Sequence, residues 1–581
     1  MQYALEKAKK QAREIVKKAL KIKTETLEVE LPKEIADVAL PLFKLAKSIN
    51  KNPSELAKEA EKNIKEKNLL DGSVFSDVRA VNGYLNFYFN YTKFGKLVFD
   101  DIKRLKEKYG SSARKNKTVV IDYSSPNIAR PFSVGHLRST IIGNSLYRIY
   151  KFLGYKVIGD NHLGDYGTQF GKLICAYKKW GKKEKIRKEP IKELLRLYVK
   201  FHKEAEKNSS LEEEARKWFK KLEQNDKEAV KLWKWFRELS LEEFNKIYKM
   251  LDVKFDFVLG ESFYKNKLKS IVKEALAKGV AEWAESKTET FESSSEEKIG
   301  KKEKVVLVRL EKYGIETPLL LQKSDGTSLY ATRDLATAKY RIERWKPEMI
   351  LYVVGNEQKL YFKQVFKALE LLGYKTKYVH VSFGLVLLKG KKVSTRKGRI
   401  IFLEDVLKEA IKKAKELVSE KIKNKEKIAK IVGIGAVKYN DLSQDRTKDI
   451  EFDWKKMLNL KGNSAPYIQY SYVRARSILN KIGKIKKVKP ELLKEEEEKQ
   501  LIKKLSLFPN VISKAAESFQ PYFIANYLFD LAKLFNNFYE KFPVLKAEKR
   551  LRESRAFLVY AIAVVIKTGL SLLGIDCPDE M

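Results

Sequence analysis

The stretch D-Y-S-S-P-N-I-A-R-P-F-S-V-G-H-L-R-S-T, residues 122–140, gathers residue types that suit nucleotide chemistry. Gly135 allows a backbone to approach a flat base closely, and His136, at the start of a helix, can donate to phosphate oxygens where the helix dipole already favours negative charge. The alternative for His136 is a structural cap of that helix. A second stretch, K-V-S-T-R-K-G at 392–398, follows the apolar run V-S-F-G-L-V-L-L. Lysine and arginine on such a loop can close over β and γ phosphates and neutralise charge that develops as pyrophosphate leaves. A chain this basic also produces such loops by chance.

Both stretches need a frame. T-V-V-I-D at 118–122 reads as a strand; a helix follows with apolar residues at Leu137, Ile141, Leu146, Ile149 and Leu153, then a second strand at 155–158. Strand, helix, strand of these lengths is a parallel βαβ unit, with a nucleotide expected at the carboxyl end of the first strand. Residues 178–250 alternate lysine and glutamate with Trp, Leu and Phe at helical spacing and read as a helical insertion. Strand-like runs return at 255–258, 305–310, 349–354 and 378–387, so the sheet is expected to be interrupted and then completed. Beyond residue 403 the pattern is mostly helical. Upstream, an amphipathic helix (Leu5, Ala8, Ala12, Ile15, Val16, Ala19), a helical stretch at 34–67 and two strands around Asn82-Gly83 predict a small α+β domain. The domains are thus placed at 1–112, at 113–445 with the insertion inside it, and at 446–581.

The 581 residues, 44% of them hydrophobic, suffice for three or four separate cores. Lys and Arg number 119 against 76 Asp and Glu, a net charge of +43 spread along the chain, which points to a large polyanion as partner. A lysine-rich genome or a thermophilic host would inflate surface lysine in the same way. Cys175 and Cys577 are far apart, and His136, His162, His202 and His380 form no zinc spacing, so no zinc and no disulfide framework are expected. The longest apolar run, 556–566, is about half of a bilayer span, so no membrane is expected as partner. The N-terminus carries Glu6 and Glu14 without an apolar signal core, which predicts a cytoplasmic protein.

Taken in order, S-V-G-H and K-V-S-T-R resemble the HIGH and KMSKS motifs of the class I aminoacyl-tRNA synthetases. The phrases S-S-P-N-I-A-R-P-F, G-H-L-R-S-T-I-I-G-N, N-H-L-G-D-Y-G-T-Q-F-G, D-G-T-S-L-Y-A-T-R-D-L-A, F-G-L-V-L-L-K-G-K-K-V-S-T-R-K-G and S-A-P-Y-I-Q-Y-S-Y-V-R-A-R-S-I resemble arginyl-tRNA synthetases, over nearly the whole chain. The resemblance implies a multidomain α/β fold. A Rossmann-type parallel sheet with a helical insertion would lie between a small α+β N-terminal domain that contacts the tRNA elbow and an all-α C-terminal anticodon-binding bundle. It implies ATP-dependent attachment of L-arginine to tRNA(Arg) through arginyl-adenylate, with magnesium-bound ATP as substrate and a monomeric enzyme.

By the same resemblance, Asp122 and Asp334 would grip the arginine guanidinium with the Tyr330 hydroxyl, and Asn127 and Gln358 would hold the α-amino and carboxyl end. Arg130, Gly135, His136, Lys392 and Ser394 would bind ATP, while His136, Lys392, Arg396 and Ser133 would act in catalysis. Asn82, Tyr84 and Asn86 would touch tRNA. Spacing agrees in one respect: Tyr330 and Asp334 are four apart and face one way on a helix. The structural alternatives are an ion pair of Asp334 with Arg333 or Arg341, and a strand-end turn role for Asp122. Ser133 departs from the family, which carries histidine there; losing an imidazole's hydrogen bond predicts a cost of about 1–3 kcal/mol, and Ser133→His is expected to speed adenylate formation. The departure also leaves a non-catalytic tRNA-binding paralogue as the alternative. Thr395 replaces the second lysine of KMSKS, with Arg396 keeping the positive charge.

Overall fold

The computed structural model describes residues 2–23, 27–32, 35–287, 302–324, 326–388, 391–392, 401–420 and 422–581. They form two compact units: one of residues 1–113, 414–439 and 455–581, the other of 114–413 and 440–454.

In the first unit a three-stranded antiparallel sheet runs Val38–Pro41, Tyr84–Phe89, Phe75–Val81, under helices Ala4–Leu20 and Pro53–Glu66. The hairpin forms as expected because Asn82 and Gly83 both take positive φ, 48° and 83°, the requirement of a tight two-residue turn. Within 34–67 the helical expectation fails at Val38–Pro41, which pairs in register from Val38↔Phe87 to Pro41↔Tyr84. Pro41 is tolerated because the strand lies at the sheet edge. Helices Ala465–Ile482, Glu496–Glu517, Tyr522–Lys541 and Lys549–Leu572 form the bundle. The last is apolar and long enough to cross a membrane by composition, but most of it is buried against the other three.

The second unit is built on a parallel sheet ordered Lys377–His380, Met349–Tyr352, Thr118–Asp122, Lys156–Asp160. Its central strand is buried on both faces, as its unbroken apolar run requires. Helix Val134–Phe152 connects the two strands at one end of the sheet and packs closely on the Tyr123 side chain: a Cβ on Gly143 would lie 2.2 Å from the Tyr123 Cβ. The insertion consists of helices Lys183–Lys188, Pro190–Ala205, Ser210–Glu223 and Lys227–Met250.

Two strand expectations change. Residues 255–258 contribute only a single bridge, Asp160↔Phe257. The 305–310 run belongs to a separate antiparallel sheet, Glu282–Lys287, Lys302–Val308, Leu319–Gln322, whose apolar face packs with helices Leu268–Ala277, Tyr330–Trp345 and Lys359–Leu371. The run 378–387 divides, its second part joining a small sheet with Lys391–Lys392 and Ile450–Glu451.

Candidate functional site

Helix Val134–Phe152 starts beside the point where the chain returns from the basic loop. Ser133 bridges Phe402, the Val134 amide donates to the Ile401 carbonyl (3.2 Å) and the Leu403 amide donates to the Phe132 carbonyl (2.9 Å). Backbone bonds therefore tie the first nucleotide-like stretch to residues 401–403, which follow the basic stretch in sequence. Lys392 pairs with Leu387 through its backbone. The side chain of Lys392, and Ser394 and Arg396 entirely, lie outside the described residues.

His136 fulfils the capping alternative through Nδ1, and its Nε2 has no bonded partner among the described residues. The Ser133 amide donates to His136 Nδ1 at 3.1 Å, and Ser133 Oγ lies 3.2 Å from the same atom. An amide N–H requires an unprotonated acceptor, so the proton of the neutral ring sits on Nε2. The ring packs on Phe132 and keeps only a partly open edge; burial pushes its pKa down to about 4, and the Arg130 guanidinium acts in the same direction. At neutral pH His136 is thus an uncharged Nε2–H donor. Arg130 itself is exposed, with Nη2 3.4 Å from the Tyr198 hydroxyl on insertion helix Pro190–Ala205. Gly135 is exposed, and among the described residues a Cβ there would meet only Ser133 Oγ within 4 Å.

Ser133 is 4% exposed and its hydroxyl is turned to His136. The expectation that Ser133→His accelerates the reaction is therefore revised: an imidazole does not fit this buried cap without displacing His136. Ser133→Ala should change adenylate formation by less than about fivefold, since the backbone amide still fixes Nδ1 and a neutral hydroxyl bond is worth about 1 kcal/mol or less here. Single-turnover rates check this.

At the carboxyl edge of the sheet lies a cluster of acidic side chains. Asp122 ends the central strand beside Asp160 of the next strand, in register, with Tyr352 on its other side. Arg341, 0% exposed, donates from Nη2 to Asp122 Oδ2 and Asp160 Oδ2, both at 2.8 Å, and the second oxygen of Asp122 accepts from Ser125 Oγ at 2.7 Å. Arg333 pairs with Glu261 at 3.3 Å. Asp334 has neither of the ion pairs considered for it. Its bonded partner is the Tyr361 hydroxyl, which donates to it from helix Lys359–Leu371. Burial pushes the Asp334 carboxyl above the usual carboxylate range, and the nearby Asp122 charge adds to this; His162 and Arg341 oppose it. A carboxylate held this way without a bonded cation among the described residues is ready for one.

The remaining candidates divide. Tyr330 begins helix Tyr330–Trp345 and is 61% exposed, with the Arg333 guanidinium over its ring. Asn127 and Gln358 are exposed. Asn82 is exposed at the hairpin turn and Tyr84 half-buried against Phe43, but Asn86 is 5% exposed in the middle strand, so its side chain is not presented to a ligand. Sequence reasoning missed Tyr361, Glu261, Asp160 and the part played by Arg341. It also missed a cavity of about 550 Å³ in the bundle, where Arg474 lies between the rings of Tyr470 and Tyr539, at 5.0 and 4.4 Å, with Lys481 and Lys546 on the walls.

Comparison with known proteins bears on this arrangement. The family described as "tRNA synthetases class I (R), catalytic domain" matches residues 100–454, "DALR anticodon binding domain" matches 468–581, and "Arginyl tRNA synthetase N terminal domain" matches 6–89. The arginine–tRNA ligase of Halothermothrix orenii is 45% identical over 563 residues, 95% of each chain. That of Clostridium acetobutylicum is 44% identical, covering 95% of this chain and 96% of its own. Among solved structures, the arginyl-tRNA synthetase of Thermus thermophilus is similar with a TM-score of 0.80 at 25% identity, covering 98% of this chain and all of its own. The Plasmodium falciparum arginyl-tRNA synthetase shares the fold at a TM-score of 0.79 and 24% identity over the full length of both.

Proposed function

The chain belongs to the class I arginyl-tRNA synthetases and joins arginine to tRNA at the expense of ATP, and we propose that the acidic cluster around Asp334 selects the amino acid while the Ser133–His136 helix start holds the nucleotide. Among the described residues, four carboxyls, those of Asp122, Asp160, Glu261 and Asp334, stand against two guanidiniums, those of Arg333 and Arg341, an excess of two acidic groups. Arginine brings two cationic groups to this excess, its guanidinium and its α-ammonium, with a carboxylate that must stay free to react. This match is the observation that carries the reading. In it the substrate guanidinium meets Asp334, with Asp122 and the Tyr330 hydroxyl beside it, and Asn127 and Gln358 hold the other end.

ATP enters as its magnesium complex, with the base against Gly135 and the phosphates toward His136 Nε2, Arg130 and the basic loop bearing Lys392, Ser394 and Arg396. A carboxylate oxygen of arginine attacks the α-phosphorus, the bond to the bridging oxygen breaks, and pyrophosphate leaves with the electron pair. A ribose hydroxyl at the tRNA terminus then attacks the carbonyl carbon of arginyl-adenylate, AMP departs and the hydroxyl proton is lost. Positioning and neutralisation of charge on pyrophosphate carry both steps, without a covalent enzyme intermediate. Pyrophosphate exchange measured with tRNA present should require arginine and not accept lysine, whose point ammonium cannot pair with a carboxylate in one plane. Absence of arginine-dependent exchange would overturn the reading.

The tRNA lies against the basic surface, with Asn82 and Tyr84 at its elbow and the bundle reading unstacked anticodon bases. Arg474 between Tyr470 and Tyr539 offers flat faces flanked by lysine, which suits a base with its phosphate. Tyr539→Ala should weaken tRNA binding by about 1–3 kcal/mol, roughly fivefold to 150-fold in Kd, and leave the arginine KM unchanged. Equilibrium binding and exchange kinetics separate the two. The enzyme acts in this reading as a cytoplasmic monomer, with no membrane partner.

A further inference from the structure

Asp122 and Asp160 face a problem that the sheet creates. They are register neighbours at the ends of adjacent parallel strands, and like charges in that position repel. Arg341 resolves it from above, with Nη2 shared between the two carboxylates and Nε also donating to Asp160 Oδ2 at 3.2 Å. The third register neighbour, Tyr352, lies under the same guanidinium at 5.6 Å. One oxygen of Asp122 is thus committed to Arg341 and the other to Ser125, which also accepts from the His162 amide at 3.2 Å. Only the lone pairs left over can meet a substrate, and their direction is set by these two bonds.

We propose that Arg341 is a positioning residue for arginine selection: a guanidinium built into the protein fixes Asp122, so that the substrate guanidinium meets one aimed edge of Asp122 while Asp334 accepts its principal pair of hydrogen bonds. The proposal rests on the assignment of this cluster to arginine. Arg341 touches no reacting atom and acts through Asp122. Lysine at 341 keeps the charge but ends in a single nitrogen on a shorter stem, without the Nε that also holds Asp160, so it cannot reach both carboxylates as Arg341 does and Asp122 turns.

The test measures arginine and ATP KM values and kcat for adenylate formation, with tRNA present, in Arg341→Lys, Ser125→Ala, Asp122→Asn, Asp334→Asn and the Asp122→Asn/Arg341→Lys double variant. Arg341→Lys should raise the arginine KM about tenfold or more with the ATP KM nearly unchanged, and add less than about twofold when Asp122 is already asparagine. Ser125→Ala, which unpairs no charge, should raise the arginine KM by about threefold and carries the test alone if Arg341→Lys does not fold. An unchanged arginine KM in folded Arg341→Lys, or in Ser125→Ala, overturns the proposal. So does a full Arg341→Lys effect in the Asp122→Asn background, which would mean that Arg341 does not act through Asp122. If Asp334→Asn leaves the arginine KM unchanged, the assignment of the cluster to arginine fails; if it raises that KM while Arg341→Lys does not, only the positioning role fails.

Discussion

Asp334→Asn is expected to raise the arginine KM by about 2–4 kcal/mol, roughly thirtyfold to a thousandfold, with tRNA affinity nearly unchanged. The substitution keeps an oxygen for the Tyr361 hydroxyl, so the local hydrogen bond survives while the charge is lost. The empty enzyme should not suffer. The folded-state pKa of Asp334 lies above its ordinary value, burial being the first cause, so ionising this group costs folding free energy at neutral pH, where the unfolded chain ionises freely. Removing it should leave the melting temperature equal or higher while arginine binding collapses. The same direction fixes the pH dependence. Arginine binds the ionised form, so the parent's arginine KM should rise as pH falls through a pKa above the usual aspartate range, and this rise should vanish in Asp334→Asn. Thermal melts and steady-state kinetics across pH check both signs; a variant with unchanged KM and lowered melting temperature would make Asp334 a structural residue.

His136→Ala should slow adenylate formation by about 10²–10³-fold, the range for removing one preorganised donor to developing oxyanion charge. Alanine also removes a helix cap, which costs about 0.5–2 kcal/mol of stability, so the two roles of the ring need separating. The ring nitrogens do this. Asparagine offers an acceptor near the place of Nδ1, which receives the Ser133 amide, but no donor at the place of Nε2. Glutamine offers a donor near Nε2. His136→Asn should therefore fold normally and stay slow, and His136→Gln should regain part of the rate. Because burial holds the imidazole pKa at about 4, the ring is neutral across the physiological range. The rate should show no inflection near pH 6.5 that disappears in His136→Gln; such an inflection would mean that the charged imidazolium is the working form.

What the sequence revealed follows what is local. The central strand, the helix after S-V-G-H, the insertion and the Asn82-Gly83 hairpin were legible because each is written in periodicity or turn chemistry within a short window. Val38–Pro41 was not, since four residues are too few to set a period and the pairing to Tyr84–Phe89 comes from more than 40 residues away. Asn86 shows the limit of alternation. The strand that bears it is central in its small sheet, so a position that alternation would leave open is covered.

The site divides in the same way. Ser133, Gly135 and His136 could be placed at a helix start because cap, glycine and histidine fall within four residues. Arg341 could not be placed at Asp122, 219 residues away, nor at Asp160, 181 away, because only the parallel register brings those carboxylates together. Tyr361 is equally silent in sequence, lying a helix away from the carboxylate it bonds. Resemblance to a family supplied the substrate; the acidic excess proposed to select it, four carboxyls against two guanidiniums among the described residues, became visible only in the fold.

Charging of total tRNA with each of the twenty amino acids, with and without ATP, tests the account most directly. Arginine alone should be attached, only with ATP, and Asp334→Asn should charge poorly at low arginine and recover toward the parent rate as arginine is raised. Attachment of another amino acid in preference to arginine, or tRNA binding with no ATP-dependent charging at all, would contradict it.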